Sequence, residues 1–411
     1  MSAHTDPDEA TRPESCDDAI ALVRLQPRAE KRVARGHPWL FSNELEMTAQ
    51  TRAIAPGALA RFQTAGGELL GTGTFNPHAL IAGRMLTADG RTMIDGAFLT
   101  ERLDRARHLR ARFVGGRHHR LVHAEADGLP GLVIDRHGEH LVVQLNSAGM
   151  DRLWPRLAAT LDDAVAPTGL LVTGDDTARQ LEGLAPRHDV VGSWPDGPLT
   201  IEENGIAYLA DPVSGQKTGW FYDHRDNRRA VAALSDGRQV LDAYSYAGGF
   251  ALACAAAGAA GVLAIDRSEP ALALAAQAAQ ANGLEGRCRF RRAEVFAELA
   301  QLHGRGELFD LVICDPPAFA KTRKQLRQAL KGYRKLAWLA ARVVAPGGVL
   351  FIASCSHHVH VDDLRREVAS GLRNAGRSAR IVRESGAAAD HPVHPALPES
   401  AYLKALTLAL D

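Results

Sequence analysis

The stretch that decides the fold occupies residues 239–250 and reads QVLDAYSYAGGF. An apolar run that ends at Asp242 is followed by a turn containing Tyr246 and Gly248, and then by an apolar segment of helix length. This order predicts a buried strand, a tight turn and a helix. The turn has fewer glycines than the G-x-G-x-x-G pattern that makes room for a pyrophosphate. We therefore expect a ligand without a pyrophosphate, bordered by Asp242, Tyr246 and Gly248.

Further apolar runs of strand length alternate with helix-length segments from about residue 196 onward. Such alternation predicts an α/β fold with a seven-stranded, doubly wound sheet. Ligands of such sheets bind outside the carboxyl ends of the strands. The predicted strands are 239–243, 262–266, 288–291, 308–314, 349–354, 379–382 and 404–408.

Acidic residues at the ends of the next two strands predict how the ligand is held. Asp266 ends the second strand, where a carboxylate can accept hydrogen bonds from both hydroxyls of a ribose. Glu294 follows the third strand, and we expect it to reach an adenine amino group. The alternative for Asp266 is purely structural, as a neighbour of the helix cap Ser268.

The fourth strand is followed by the motif D-P-P-A-F at residues 315–319. Each proline fixes its φ angle and lacks an amide hydrogen, so the loop is expected to be rigid and extended. We predict that Asp315 contacts both cofactor and substrate. We also predict that Pro316, Pro317 and Phe319 border a planar base, on which the ring of Phe319 would stack.

Composition limits the class of protein. A chain of 411 residues fits two or three domains, and 46% hydrophobic with 23% charged residues is typical of a globular protein. No apolar stretch is long enough to span a membrane, and the N-terminus lacks the apolar region of a signal peptide. Five cysteines, an odd number, favour a reducing compartment. We therefore expect a cytoplasmic protein with no membrane partner.

The formal net charge is zero, but the charge is unevenly distributed. Residues 1–20 carry six acidic side chains and one arginine, so the remainder of the chain is positive. Its basic residues cluster at 24–35, 102–120 and 321–335, a distribution expected of phosphate contact, with a solvated surface as the alternative. The residues of the third cluster that we predict to bind RNA are Lys324, Arg327 and Lys331, which lie at helical spacing.

Four segments are predicted along the chain. Residues 60–64 and 68–73 predict a β-hairpin around Ala65-Gly66-Gly67, so the N-terminal part is expected to be rich in β-structure. The predicted segments are a disordered acidic tail at 1–20, a small β-rich domain at 22–97, an α+β middle domain at 98–195 and the α/β domain at 196–411.

The α/β segment resembles class I methyltransferases, and residues 22–408 resemble the rRNA large-subunit methyltransferase I family. The stretches that carry this resemblance are RGHPWLFS at 35–42, EADGLPGL at 125–132, GQKTG at 215–219, SCSHH at 354–358 and DHP at 390–392. The resemblance implies an N-terminal PUA domain that binds RNA, an α+β middle domain and a Rossmann-like catalytic domain. It also implies S-adenosyl-L-methionine as cofactor and C5 of a cytosine in 23S rRNA as the target.

The same resemblance implies that Lys217 and Arg225 bind the cofactor. Glu294 departs from the aspartate expected in the family, which weakens the prediction of its cofactor contact. Tyr222 and His224 depart from the expected leucine and glutamine.

Methyl transfer to C5 of cytosine predicts a cysteine beside the cofactor, because C5 becomes nucleophilic only after a thiolate adds to C6. Cys355 ends the fifth predicted strand, next to the loop of Asp315. The reaction also needs an acid hydrogen-bonded to the ring-nitrogen edge of the base, and Asp315 is predicted as this second catalytic residue. Adjacent strands lie about 4.8 Å apart, so both residues can meet one base. A small buried residue is the alternative for Cys355. Cys254, Cys288 and Cys314 are interpreted as core residues.

Two other functions remain open at this stage: a methyltransferase of a non-RNA substrate, and an RNA-binding ribosome-assembly factor without catalysis. The histidines at 357, 358 and 360 lack a second set of ligands, so no metal is expected. The segment at 390–392 is expected to form part of a cover over the base. The sequence does not fix the oligomeric state, and a homodimer stays open.

Overall fold

The computed structural model describes residues 20–215, 218–320 and 322–411. Residues 1–19, which hold most of the predicted acidic tail, and Lys217 lie outside these ranges. The described chain forms two compact units, one ending at Met93 and the other beginning at Ile94. No helix among the described residues combines the length and the apolar character that a membrane span requires.

The first unit is built on one five-stranded sheet within its described residues. Its elements are β1 (Ala21–Arg24), α1 (Glu30–Ala34), β2 (Trp39–Phe41), α2 (Ala49–Arg52), β3 (Ala58–Gln63), β4 (Leu69–Phe75) and β5 (Ile81–Thr87). The strand order is β1-β3-β4-β5-β2, and β3 and β4 form the predicted antiparallel hairpin. Phe62, Phe75 and Leu40 lie in its core. Gly73 is required in β4, since a Cβ there would lie 2.1 Å from the Arg84 carbonyl oxygen.

The second unit begins with an α+β region. Its elements are α3 (Gly96–Phe113), β6 (His118–His123), β7 (Leu132–His137), β8 (His140–Leu145), α4 (Ala148–Val165), β9 (Gly169–Thr173), α5 (Asp176–Leu181), β10 (Asp189–Gly192), β11 (Leu199–Glu203) and β12 (Ile206–Ala210). One sheet has the order β10-β9-β8-β7-β6, and β11 pairs with β12 in a hairpin. The sequence did not predict β6, because its histidines and Arg120 conceal the strand pattern. Residues from Ile94 onward form one compact unit, so a domain boundary at 195 remains a proposal.

The α/β region contains the predicted seven-stranded sheet, in the order β15-β14-β13-β16-β17-β19-β18 among the described strands. Only β19 runs antiparallel to its neighbours there. The elements are α6 (Arg225–Ala232), β13 (Gln239–Ala243), α7 (Gly249–Ala256), β14 (Gly261–Asp266), α8 (Glu269–Ala281), β15 (Cys288–Arg292), α9 (Val295–Gly304), β16 (Phe309–Cys314), α10 (Leu326–Ala341), β17 (Val344–Ser354), α11 (Val361–Asn374), β18 (Ala379–Ser385) and β19 (Lys404–Leu410).

The sheet separates two apolar cores. Successive side chains of a strand point to opposite faces, and so Val240 packs with α7 and α8 while Leu241 packs with α9, α10 and α11. Of the cations at helical spacing, Arg327 and Lys331 lie on α10, while Lys324 lies in the 3-10 turn Arg323–Gln325 before it. Because both faces are covered by helices, the exposed edge at the carboxyl ends of the strands is left for a ligand.

Candidate active site

The carboxyl ends of β13 and β16 lie side by side where the strand order reverses. The amide of Asp315 donates a hydrogen bond of 3.4 Å to the carbonyl of Ala243, the residue after Asp242. In doubly wound sheets the ligand binds at this reversal. The structure therefore brings the predicted site residues Asp242 and Asp315 to one place.

The turn between β13 and α7 has left-handed backbone conformations at alternate residues, with φ of 67° at Tyr244, 47° at Tyr246 and 78° at Gly248. A Cβ on Gly248 would lie 2.9 Å from the Cβ of Ala275, so a larger residue would not fit without a shift. Gly248 immediately precedes α7, whose first amide groups have no partner inside the helix. The turn can therefore receive an anionic group such as an amino-acid carboxylate.

Asp266 is held at the end of β14 by two backbone amides. Its Oδ2 accepts from the amide of Tyr246 at 2.9 Å, and its Oδ1 accepts from the amide of Ser268 at 2.8 Å. Ser268 in turn caps α8 by accepting from the amide of Ala271. Each carboxylate oxygen keeps a second acceptor site for a ribose hydroxyl. The structural and the ligand-binding interpretations of Asp266 are thus compatible.

Asp242 is 1% exposed, and its Oδ2 accepts from the amide of Ala251 in α7. Burial raises the pKa of Asp242 to about 7; the bond from Ala251 opposes this, and the nearby charge of Asp315 adds to it. Within the described ranges, the Oδ1 of Asp242 and the hydroxyls of Tyr244 and Ser245 have no hydrogen-bond partner. Such buried polar atoms are able to hydrogen-bond a ligand. The turn fits the amino and carboxyl groups of S-adenosylmethionine.

Glu294 stands at the end of β15, as predicted, and is exposed. Its carboxylate accepts from the amide of Ala297 at 2.8 Å and caps α9. Contact with an adenine amino group would use its remaining acceptor sites, and this role stays a prediction.

Arg225 is engaged away from this turn. Its guanidinium donates to the carbonyl of His118, lies over the ring of Tyr222 and is 3.7 Å from the carboxylate of Asp390. These contacts tie α6 to the α+β region, and none of them involves Asp242 or Asp266. The predicted cofactor contact of Arg225 therefore finds no support in its position.

Asp315 is paired with a buried histidine that the sequence did not identify as part of the site. The Nε2 of His224 lies 3.2 Å from the Oδ2 of Asp315. Burial lowers the pKa of His224, but the charge and the hydrogen bond of Asp315, together with the charge of Asp223, outweigh burial and raise it above its ordinary value. No spacing links residues 224 and 315, and only the fold could reveal the pair.

The aromatic residue of the loop after Asp315 packs against other rings. Pro316 is buried and Pro317 is exposed, so Pro317 is the more accessible of the two prolines. The ring of Phe319 is half-buried and packs against Tyr333, at 4.8 Å between ring centroids, and against Phe296 at 6.2 Å. These contacts place Phe319 at the margin of the apolar core. Stacking of a base would use the part of the ring that stays accessible, and this role stays a prediction.

Cys355 follows the last residue of β17 and is half-buried. Its sulfur lies 4.0 Å from the carbonyl oxygen of Pro316, next to Asp315. Cys254, Cys288 and Cys314 are buried, as predicted, and burial raises the pKa of each thiol, to about 11 for Cys288. Among the cysteines that the structure describes, Cys355 is therefore the most accessible to a substrate.

A lysine lies beside Cys355. Lys404 pairs with Ser354 in the register of β17 and β19, and its ammonium donates to the carbonyls of Ser356 at 2.8 Å and Tyr402 at 2.7 Å. Burial lowers the pKa of Lys404 to about 8, while the charge of Cys355 opposes this change. The ammonium can therefore stabilise a thiolate at Cys355.

Two residues of the segment at 390–392 are buried. Asp390 is fully buried and His391 is 4% exposed. Asp390 accepts from the amide of Arg120, and its own carbonyl accepts from Arg110, a fully buried arginine. Arg110 is also bonded through two nitrogens to Asp127. A role of this segment as a cover over the base stays a prediction. Arg110, which belongs to the second basic cluster, is buried and paired and cannot contact phosphates.

The third basic cluster is exposed. Lys324, Arg327 and Lys331 are solvent-accessible at the start of α10 and in the turn before it, directly after the loop of Asp315. None of the three forms an ion pair with another described residue, whereas Arg334 is paired with Glu367. Unpaired exposed cations beside a site can contact phosphates. The predicted RNA-binding side chains are therefore accessible.

Comparison with known proteins supports the C-terminal methyltransferase region and the N-terminal PUA-like domain. The family model for S-adenosylmethionine-dependent methyltransferases matches residues 186–408, and that for PUA-like domains matches residues 23–88. Ribosomal RNA large subunit methyltransferase I of Aeromonas hydrophila is 36% identical over 394 residues, covering 94% of this chain and 99% of that protein. The protein of the same name from Photobacterium profundum is 38% identical, covering 93% and 97%.

Solved structures show the same fold. A candidate S-adenosylmethionine-dependent methyltransferase from Streptococcus mutans matches with a TM-score of 0.80 at 19% identity, covering 95% of this chain and 100% of that one. A candidate methyltransferase solved with S-adenosylhomocysteine matches with a TM-score of 0.81, also at 19% identity, with the same coverage. The predicted PUA-like domain, class I methyltransferase fold and S-adenosylmethionine cofactor are confirmed.

Proposed function

The chain belongs to the ribosomal RNA large subunit methyltransferase I family, and from this premise we propose that it methylates C5 of a cytosine in 23S rRNA. The observation that carries the proposal is the position of Cys355. Its half-buried sulfur lies 4.0 Å from the carbonyl of Pro316, beside Asp315 and at the carboxyl edge that holds the cofactor turn. A thiol at this edge is required for addition to C6 and has no role in methylation of an oxygen or an amino group.

Bound S-adenosylmethionine would supply an electrophilic methyl group. Asp242, Asp266 and the turn at Gly248 would hold it, as their hydrogen-bonding positions allow. The remaining chemistry depends on side chains of this protein.

Cys355 acts as the nucleophile. Its thiol loses a proton, the sulfur forms a bond to C6, and N3 gains a proton, so the ring stays neutral while C5 becomes nucleophilic. Asp315 accepts hydrogen bonds from the N3–N4 edge of the base and stabilises the protonated N3. After C5 has gained the methyl group, a base removes the C5 proton, the C6–S bond breaks and N3 returns its proton. Asp315 acting through a water is our candidate for that base.

RNA binding is assigned to two surfaces. The unit that ends at Met93 includes the match to PUA-like domains, and the exposed cations Lys324, Arg327 and Lys331 adjoin the loop of Asp315. Cations contribute affinity without base specificity, so the specificity must come from the pocket at Asp315 and Cys355.

The product distinguishes this function from its alternatives. Purified protein is incubated with labelled S-adenosylmethionine and 23S rRNA from cells that lack the protein, and the modified nucleoside is identified by mass spectrometry. 5-Methylcytidine at one position is expected. Methyl groups on another atom of the RNA would contradict the cytosine C5 assignment, and label in protein or small molecules alone would favour a non-RNA substrate. Absence of affinity for S-adenosylmethionine would favour a non-catalytic assembly factor.

A further inference from the structure

The amide of Asn227 is fixed in one orientation by its neighbours. Asn227 is 1% exposed, and one atom of its amide lies 3.1 Å from the carbonyl oxygen of Gly386, while the other lies 2.7 Å from the hydroxyl of Ser385. A carbonyl oxygen can only accept a hydrogen bond, so the atom that faces Gly386 is the nitrogen Nδ2. The hydroxyl of Ser385 donates to the remaining oxygen.

The same nitrogen fixes the proton of His224. Nδ2 of Asn227 lies 3.2 Å from Nδ1 of His224 and has a second hydrogen to donate. Nδ1 therefore accepts, and the proton of the neutral ring resides on Nε2, which faces Asp315 at 3.2 Å. Protonation of the ring would place a hydrogen on Nδ1 against the Asn227 amide, which opposes the effect of the Asp315 carboxylate.

The surroundings keep this arrangement isolated. His224 is 3% exposed and has the rings of Phe250 and Phe351 near it, at 5.4 Å and 6.4 Å between centroids. At such a buried position, a lost partner would not be replaced readily by water. The donor at Nε2 is therefore available to Asp315 alone.

We propose that His224 is a positioning residue that holds Asp315 as a hydrogen-bond acceptor toward the target base. His224 donates to Oδ2, which leaves Oδ1 to accept from the amino group of cytosine. Uracil presents an oxygen at that position, so a carboxylate held in this way selects cytosine over uracil. The inference rests on the proposed cytosine methylation, and it names the group that sets this selectivity.

Two substitutions test the direction of the hydrogen bond. His224→Gln keeps an acceptor for Asn227 and a donor for Asp315, whereas His224→Met has neither. We expect His224→Met to lower kcat on the cytidine substrate by about tenfold or more, because a misplaced catalytic group loses rate steeply, while the affinity for S-adenosylmethionine stays close to the wild type. Tm should fall in this variant, because the buried amide of Asn227 loses its acceptor. His224→Gln should recover most of the wild-type kcat. His303→Met, on α9, serves as the control for a histidine outside the site.

Wild-type kcat in His224→Met would overturn the inference, and so would a His224→Gln variant as impaired as His224→Met. A direct measurement does not depend on how the variants fold. Imidazole 15N NMR of the wild type at pH 8, with the His224 signals assigned by their loss in His224→Gln, should show a protonated Nε2 and an unprotonated Nδ1. The opposite tautomer would refute the inference. If the wild type makes no 5-methylcytidine, the proposed function has failed instead.

Discussion

The sulfur of Cys355 and the carbonyl oxygen of Pro316 lie 4.0 Å apart, so the end of β17 touches the loop that carries Asp315. Strand pairing accounts for this contact. Cys314 of β16 pairs with Ile352 of β17 in parallel register, which brings the residues after both strands to the same edge. A planar base between the two side chains would meet the thiol and the carboxylate together.

Cys355→Ala should abolish methylation while leaving the affinity for S-adenosylmethionine unchanged, because the thiol acts on the base. When the RNA carries 5-fluorocytidine at the target position, the fluorine at C5 cannot be removed. The wild type should therefore be trapped as a covalent complex with this RNA, which denaturing gels detect. Cys288→Ala, at a buried cysteine, should still form the complex. Normal turnover in Cys355→Ala would exclude the covalent mechanism.

Lys404→Met should make the thiol of Cys355 harder to ionise, because a nearby ammonium favours the thiolate. We expect the pH of half-maximal alkylation of Cys355 by iodoacetamide to rise by about one unit. Peptide mapping by mass spectrometry separates this cysteine from the others. Lys335→Met provides the control, since Lys335 lies over the ring of Phe296. An unchanged midpoint would show that Lys404 does not act on the thiol.

A triple variant with alanine at Lys324, Arg327 and Lys331 should bind RNA more weakly than the wild type. Its affinity for RNA should also depend less on the salt concentration. Each lost phosphate contact lowers the slope of log K against log salt by about 0.7 to 0.9, so a decrease of about two is expected. The matched control changes three exposed arginines at the opposite edge of the sheet, namely Arg238, Arg289 and Arg373. Equal losses in both variants would mean that the cluster is only part of a general positive surface.

Asp242→Asn should stabilise the fold increasingly as the pH rises. Burial raises the pKa of Asp242 to about 7, so the folded wild type keeps a proton there that the unfolded chain releases near pH 4. The folded state therefore loses stability as the pH rises toward 7. The difference in unfolding free energy between variant and wild type should grow by about 2 kcal/mol from pH 5 to pH 7. Urea titrations at both pH values measure it, and a constant difference would contradict the raised pKa.

Local sequence patterns predicted the ends of the strands well. Asp242, Asp266 and Asp315 were expected at the carboxyl edge of one sheet, and all three lie at strand ends there. Cys355 was expected beside the loop of Asp315, and its sulfur contacts Pro316. These predictions succeed because the hydrophobic pattern of a strand, and the residues that end it, lie within a short stretch of sequence.

The predictions about exposed and engaged side chains were weaker. Phe319 packs at the core margin, and Arg110 and Asp390 are buried together although 280 residues separate them. A side chain's charge or ring does not reveal whether a partner from a distant part of the chain will cover it. For the same reason, the sequence did not predict the pairs His224–Asp315 and Lys404–Cys355.

The sequence by itself determined the doubly wound sheet, the order of its strands along the chain and the acids at their ends, since each depends on short-range periodicity. Only the tertiary structure decided which side chains form hydrogen-bonded pairs, which thiol remains accessible and which arginines are engaged in ion pairs. Those properties depend on burial and on distances of a few ångströms between residues far apart in the chain, and no local pattern specifies them.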